Sequence, residues 1–258
     1  MKPLAGRRVL VTRPREQAAE LSDALSALGA EVLLAPLIRI APPADPEPLR
    51  RAASDIGRFD WVVLTSANAA RALFDAVSAS HAGYSLPGTV RFCVIGPATA
   101  AQLRTLGLEA DLVAEESTAE GVVAALTGAG PLKGLRVLVP GADIGRDYVA
   151  RTLATLGADV TEVVAYRTMA EDTVPDDVRQ ALAAGLVDIV IFSSGSAVRT
   201  FAAILGADMP AVLQRTAVAV IGPTTANAAR ELGMAVAIQP ETYAVHALVD
   251  AIVRRCAK

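Results

Sequence analysis

The chain has 258 residues, of which 53% are hydrophobic, 4% aromatic and 20% charged, and its net charge is −3. This length suits two domains of about 130 residues each, and the apolar content excludes a disordered chain. The acidic balance and the lack of a basic stripe argue against a nucleic-acid partner.

Cysteine content and apolar runs narrow the class of protein further. Cys93 and Cys256 are too few for a disulfide framework and lack the spacing of a metal site. The longest fully apolar runs are shorter than the roughly 20 residues of a membrane span. The N-terminus runs directly into a predicted strand, with no apolar core of a signal peptide. We therefore expect a cytoplasmic protein with no metal and no membrane partner. We also expect a monomer.

Strands and helices alternate along the whole chain. Each half contains five short β-rich runs, mostly continuous and apolar, as in strands buried on both faces of a parallel sheet. The predicted strands are 8–12, 31–40, 61–65, 91–95 and 110–114, then 136–140, 159–166, 189–193, 217–221 and 235–239. The helical patterns between them include 15–28, 67–77, 98–106, 146–156, 196–205 and 224–232. This alternation predicts an α/β fold with a doubly wound parallel sheet in each of two domains.

The second half of the chain repeats the first at a nearly constant offset. The segment 60–69 (DWVVLTSANA) returns at 188–197 (DIVIFSSGSA), an offset of 128 residues. The segment 95–100 (IGPATA) returns at 221–226 (IGPTTA), an offset of 126 residues. A period this long indicates repeated domains rather than a solenoid. Two similar lobes predict a cleft between them, where small molecules commonly bind.

The second β-rich run of each half is longer than an ordinary strand of about five or six residues. These runs, 32–40 and 159–168, lie at matched positions. Loops rich in proline or acidic residues follow them at 41–48 and 171–177. We interpret both long runs as crossover segments between the lobes.

The crossover interpretation makes the lobes differ from the repeats. The outer lobe would be discontinuous and comprise 1–37 plus 167–258, and the inserted lobe would comprise 38–166. The alternative is that the lobes coincide with the repeat units, about 1–129 and 130–258.

Four predicted strand-to-helix turns are rich in small and hydroxyl residues. They lie at the sheet edge where open α/β sheets bind ligands, and N–H groups at helix starts attract carboxylates and phosphates. Ordinary N-capping also explains Ser, Thr and Asn at these positions. The candidate substrate-binding residues are Ser66, Ala67, Asn68, Gly96, Thr99, Ser193, Ser194, Gly195, Gly222, Thr224 and Thr225.

Three further side chains are candidates for chemistry at the same edge. Thr12 and Arg13 follow the first strand, and a guanidinium there could hold a carboxylate in a fork. Gly141 occupies the matching place in the second half, where Arg146 is a further candidate. A solvated surface position is the alternative for both arginines. Tyr166 lies in a predicted crossover, where a phenol could donate a proton or orient a leaving hydroxyl, and packing between the lobes is the alternative.

Taken together, these motifs resemble the uroporphyrinogen-III synthase family over the whole chain. Their order and spacing together are specific. The resemblance rests on 9–14 (VLVTRP), 59–68 (FDWVVLTSAN), 94–100 (VIGPATA), 163–167 (VVAYR), 188–194 (DIVIFSS) and 220–225 (VIGPTT). It implies two flavodoxin-like domains joined by a two-stranded crossover.

The resemblance also implies an activity. A lyase of this family converts linear hydroxymethylbilane into uroporphyrinogen III, with loss of water and inversion of the last pyrrole ring, in tetrapyrrole biosynthesis. No cofactor is implied, and the substrate would come from the preceding enzyme of the pathway. The alternative is a non-catalytic two-lobed protein that binds or senses a small molecule.

Particular residues match the motifs of the family. Tyr166 corresponds to the tyrosine often implicated in its reaction. The motifs that line its cleft fall here on Arg13, Ser66, Thr99, Ser194 and Thr225. One departure is Gly141, because many members carry an arginine after the sixth strand. That departure puts the charge contacts of the inserted lobe in doubt.

Overall fold

The computed structural model describes residues 2–80, 90–144 and 147–256. Its strands are β1 (Arg8–Val11), β2 (Glu31–Leu34), β3 (Ile38–Ala41), β4 (Trp61–Leu64), β5 (Arg91–Val94), β6 (Leu112–Val113), β7 (Arg136–Ala142), β8 (Asp159–Ala170), β9 (Ile189–Phe192), β10 (Ala217–Val220) and β11 (Val236–Ile238). Its helices are α1 (Arg15–Ala27), α2 (Glu47–Ser54), α3 (Ala67–Ser80), α4 (Pro97–Thr105), α5 (Ala119–Gly128), α6 (Tyr148–Thr155), α7 (Asp176–Ala183), α8 (Gly195–Leu205), α9 (Met209–Leu213), α10 (Pro223–Glu231) and α11 (Val245–Cys256). The predicted alternation of strands and helices is confirmed.

The chain divides into two compact units. Unit 1 comprises Met1–Arg39 and Met169–Lys258, and unit 2 comprises Ile40–Thr168. The sheet of unit 1 has the order β11-β10-β9-β1-β2, and its strand pairs are parallel. The other sheet has the order β3-β8-β7-β4-β5-β6, and the pairs from β8 to β6 are parallel. Each crossing between the units falls two residues beyond the lobe boundary expected from the sequence.

The sheet of unit 1 has the strand order 2-1-3-4-5 of flavodoxin-like folds, and the other sheet has the same order with β3 added at its edge beside β8, so the predicted fold class is confirmed. Unit 1 follows this order directly, with β1 and β2 as its first two strands. Unit 2 follows it in permuted form, because β7 and β8 hold the places of strands one and two although they come last in the unit. The sheet of unit 1 therefore takes two strands from the first repeat and three from the second, and the other sheet takes four from the first and two from the second. The neighbouring strands β3 and β8 carry the chain across the unit boundary.

Apolar side chains cover both faces of each sheet. In unit 1, Val9 and Val11 pack in one core cluster, whereas Leu10 packs in another with Phe192. Unit 2 repeats this arrangement with separate clusters around Val62 and Val63. Because successive strand residues point to opposite faces, continuous apolar runs such as β4 and β9 are buried throughout. These cores position the strand ends at which the candidate residues lie.

The long second strand predicted for the first half is wrong. The run 31–40 breaks into β2 and β3, which Pro36 separates, and proline cannot donate a hydrogen bond to a sheet. The first half therefore has six strands instead of five. The matched run in the second half is the continuous strand β8, and the loops predicted to follow contain the starts of α2 and α7.

One stretch, Gly195–Leu213, is long and apolar enough to cross a membrane by length and composition alone. The sequence predicts no such span, and core helices of globular proteins pass the same test. The stretch consists of α8, a 3-10 turn and α9. Ala197, Val198 and Phe201 of α8 are buried in the core of unit 1. We therefore treat this stretch as part of that core.

Candidate functional site

The candidate residues lie where parallel strands end. We call the edge formed by the carboxyl ends of the strands the rim of each unit. In a 2-1-3-4-5 sheet the connections reverse direction between strands one and three, and a crevice opens there. This switch point lies between β1 and β9 in unit 1 and between β7 and β4 in unit 2.

At the switch point of unit 1, the Thr12 hydroxyl is used inside the fold. Thr12 is fully buried, and its Oγ1 atom donates a hydrogen bond of 2.7 Å to the carbonyl oxygen of Ile191. This bond ties the end of β1 to β9. The hydroxyl proton of Thr12 is therefore not available to a ligand.

Arg13, the next residue, has a half-buried guanidinium without a salt-bridge partner among the described residues. Its Nε atom is buried without a hydrogen-bond partner, and no salt bridge to Arg13 occurs in the described part of the chain. Burial lowers the pKa of the guanidinium below its ordinary value, and the carboxylate of Glu20 opposes this shift. A buried charge without a counter-charge is costly. This environment suits an anionic ligand and differs from that of a solvated surface arginine.

A cavity of about 650 Å³ opens at the rim of unit 1. Three arginines and three carboxylates line it, and Arg39 Nε lies 3.8 Å from Glu171 Oε1; the charged residues are Arg15, Arg39, Arg179, Glu16, Glu171 and Asp176. None of these arginines was among the candidate residues named from the sequence. The sequence could have indicated only Arg15, since it lies two residues after Arg13 at the start of α1.

Serine residues cap two of the four candidate helix starts. Ser66 Oγ accepts a hydrogen bond of 3.0 Å from the N–H of Ala69, and Ser194 Oγ accepts one of 3.2 Å from the N–H of Ala197. The capping role predicted as the alternative is therefore present in both. The neighbouring candidates Ala67, Asn68, Ser193 and Gly195 are half-buried.

The two Gly-Pro turns are different because no side chain caps their helices. In α10 the first bond within the helix runs from the N–H of Ala226 to the oxygen of Gly222, at 3.0 Å. The preceding N–H groups, of Thr224 and Thr225, have no partner in the described residues. The start of α4 is alike, with Gly96 as its N-cap.

The hydroxyls of the two candidate threonines are not open to solvent. Thr99 is 3% exposed and Thr225 is 5% exposed. Thr224, which precedes Thr225 in α10, is exposed.

In unit 2, Tyr166 reaches the switch point. Tyr166 lies on β8 beside Ala142, the last residue of β7, and its Oη atom is 3.1 Å from Ser66 Oγ. Ser66 already accepts the N–H of Ala69, and its single proton can be given to the phenol oxygen. In that arrangement the Tyr166 proton is free for a ligand. The two residues are 100 positions apart, so their spacing in the sequence gave no sign of the contact.

The remaining candidates of unit 2 give less information. Arg146 lies outside the described residues. Gly141 lies within β7, and a Cβ atom there would meet nothing within 4 Å. No group of three or more His, Cys, Asp or Glu that could hold a metal occurs in the ranges described above.

Comparisons with known proteins agree over nearly the whole chain. The family model described as uroporphyrinogen-III synthase HemD matches residues 19–250. The uroporphyrinogen-III synthase of Synechococcus elongatus is 34% identical over 97% of this chain and 96% of its own length. A putative uroporphyrinogen-III synthase of Methanothermobacter thermautotrophicus is 35% identical over 94% and 96% of the two chains.

Solved structures agree in fold. A mutant uroporphyrinogen III synthase from Thermus thermophilus has a TM-score of 0.65 at 22% identity, covering 97% of this chain and 99% of that one. A uroporphyrinogen-III synthetase from Helicobacter pylori has a TM-score of 0.59 at 15% identity, covering 96% and 99%. At these identities the likeness concerns the fold alone.

Proposed function

Since the chain belongs to the uroporphyrinogen-III synthase family, we propose that it cyclises hydroxymethylbilane to uroporphyrinogen III, with loss of water and inversion of the last pyrrole ring. This is a hydro-lyase reaction of tetrapyrrole biosynthesis. The hydrogen bond between Tyr166 and Ser66 is the structural observation that carries the proposal, because it holds a phenol at the switch point of unit 2. The matches to synthases do not favour the non-catalytic alternative.

Local groups must bind the substrate, which carries eight carboxylates. A protein of net charge −3 has no overall field that attracts such an anion. Arg13 offers an unpaired guanidinium, and the uncapped starts of α4 and α10 offer N–H groups at the positive ends of helix dipoles. We assign these groups to carboxylates of the substrate, together with the arginines of the unit 1 cavity.

Tyr166 has the role of acid in the proposed reaction. Its hydroxyl donates a proton to the leaving hydroxyl of the substrate as the C–O bond breaks, so water departs and an electrophilic azafulvenium cation remains beside the phenolate. When the closed macrocycle later releases a proton, the phenolate oxygen is available to take it. Such acid catalysis contributes typically 10²- to 10⁴-fold.

Control of conformation is the larger task of the enzyme. The azafulvenium cation can close without help, which gives the unrearranged isomer. To make the III isomer, the protein must hold the chain so that the bond forms at the substituted carbon of the last ring. Carboxylates fixed at several positions reduce the freedom of the linear chain before it reacts, which is catalysis by proximity and orientation.

The assay that tests this proposal resolves product isomers. Purified protein is mixed with hydroxymethylbilane, and the oxidised uroporphyrins are separated chromatographically beside a protein-free control. We expect the III isomer as the main product. Formation of the I isomer alone, at the rate of the control, would refute the assignment.

We also propose that the protein is a cytoplasmic monomer that receives its substrate from the preceding enzyme and has no nucleic-acid or membrane partner. The acidic composition supports the absence of a nucleic-acid partner. Light scattering coupled to gel filtration should give a mass near 26.6 kDa. A mass near twice this value would exclude the monomer.

A further inference from the structure

An exposed aromatic ring lies on the rim of unit 1. Tyr243 is 46% exposed, and a Cβ atom at Gly222 would lie 3.4 Å from its Cγ and Cδ1 atoms. Gly222 is the N-cap residue of α10. The ring therefore rests on bare backbone immediately beside an uncapped helix start.

The matched position in unit 2 holds a small polar residue. Ser117 precedes Tyr243 by the same 126 residues that separate Gly96 from Gly222, and a Cβ atom at Gly96 would overlap Ser117 Oγ. Both rims therefore place a side chain over the glycine of the Gly-Pro turn. Only unit 1 places an aromatic ring there.

Packing within the unit does not account for this ring. The phenylalanines of the unit 1 core, Phe192 and Phe201, are at most 1% exposed, whereas nearly half of Tyr243 stays in water. Its hydroxyl has no hydrogen-bond partner among the residues that the structure describes. An exposed, unpartnered aromatic face beside a binding edge is typical of a surface on which a flat ligand stacks.

We propose that Tyr243 stacks against one pyrrole ring of the linear tetrapyrrole. This inference rests on the proposed function and names a specificity residue for it. A pyrrole is flat and electron-rich, and in this substrate it carries carboxylate side chains. With the ring on Tyr243, a carboxylate of the same pyrrole would be within reach of the N–H groups of Thr224 and Thr225.

The test compares three substitutions at Tyr243. Steady-state kinetics with hydroxymethylbilane are measured for Tyr243→Phe, Tyr243→Leu and Tyr243→Ser. In single-stranded nucleic-acid complexes, loss of the aromatic side chain on which one base stacks weakens binding roughly five- to a hundredfold. We expect KM to rise about tenfold in the Leu and Ser variants, with kcat within about twofold, because stacking binds substrate and transition state alike. The Phe variant keeps the ring and should keep the KM of the unaltered chain.

Controls separate this inference from the proposed function. Leu186→Ser removes another exposed apolar side chain of unit 1, before the start of β9 at the opposite edge of the sheet, and should leave KM unchanged. If the unaltered protein forms only the I isomer, the proposed function fails and this inference fails with it. If it forms the III isomer but the Leu variant keeps a normal KM, only the stacking role of Tyr243 is refuted. A raised KM in the Phe variant would assign the contact to the hydroxyl and would also overturn the stacking role.

Discussion

Tyr166 donates a proton in our proposal, and its hydroxyl can be removed without loss of the ring. We predict that Tyr166→Phe lowers kcat by about 10²-fold, within the range of acid catalysis, but leaves measurable turnover because closure does not require an acid. Tyr148→Phe is the matched control, since Tyr148 is also a tyrosine of unit 2 and is 40% exposed. Isomer-resolved initial rates provide the measurement. Equal rates for the Tyr166 variant and the control would remove the proposed role.

Arg13 should affect binding and stability in opposite directions. Arg13→Met removes a partly desolvated cation that has no salt bridge among the described residues, so we predict an unchanged or higher melting temperature. The same change should raise KM for hydroxymethylbilane about tenfold or more, because a charged contact to substrate is lost. Arg230→Met replaces an exposed arginine in the last turn of α10 and should change neither quantity appreciably. A lower melting temperature with an unchanged KM would show that Arg13 has a structural role.

At the level of residues, the sequence indicated turns at the strand ends but not which contacts each atom of those turns makes. Tyr166 could be named from the VVAYR motif, whereas its contact with Ser66 depends on the pairing of β7 with β8 and could not be read from spacing. Thr99 and Thr225 were named for the turns they occupy. Both residues are buried at the helix starts, and this burial could not be predicted from the sequence.

At the scale of single elements, α5 contains two glycines in contrasting surroundings. A Cβ atom at Gly121 would overlap the carbonyl oxygen of Glu116, whereas one at Gly128 would meet nothing within 4 Å. We predict that Gly121→Ala destabilises the protein by about 1–3 kcal/mol through overpacking. Gly128→Ala should stabilise it by about 0.5–1 kcal/mol, as expected from helix propensity. Urea unfolding of both variants checks the prediction, and a stabilised Gly121→Ala protein would contradict it.

Many strands could be predicted because a short run of residues is enough to indicate them. Strands such as β4 and β9 were placed within a residue because four consecutive buried apolar residues mark a strand covered on both sides. The helices α2 and α7 were missed because Pro46 and Pro175 precede them within acidic segments, which are as typical of loops as of helix starts. The break at Pro36 was missed because apolar residues continue on both sides of it.

At the scale of the whole molecule, the interleaving of the repeats determines which fragments can fold. Unit 2 holds β4 to β7 entire, most of β8 and two core clusters, and lacks only half of the edge strand β3. We predict that residues 40–168 alone unfold cooperatively in urea. The fragment 1–129 has the same length but lacks β7 and β8, so β4 loses its β7 partner, and this fragment should show no cooperative transition. Circular dichroism of the two fragments measures this, and cooperative unfolding of 1–129 would contradict the prediction.

The sharing of strands between the repeats also bears on how such a chain can arise. One repeat by itself supplies strands to both sheets and completes neither of them. Two separate copies could complete both sheets only by exchanging their first two strands, and the stability of that pair would depend on protein concentration. Joining the two repeats in one chain makes the exchange intramolecular, so the completion of both sheets does not depend on protein concentration.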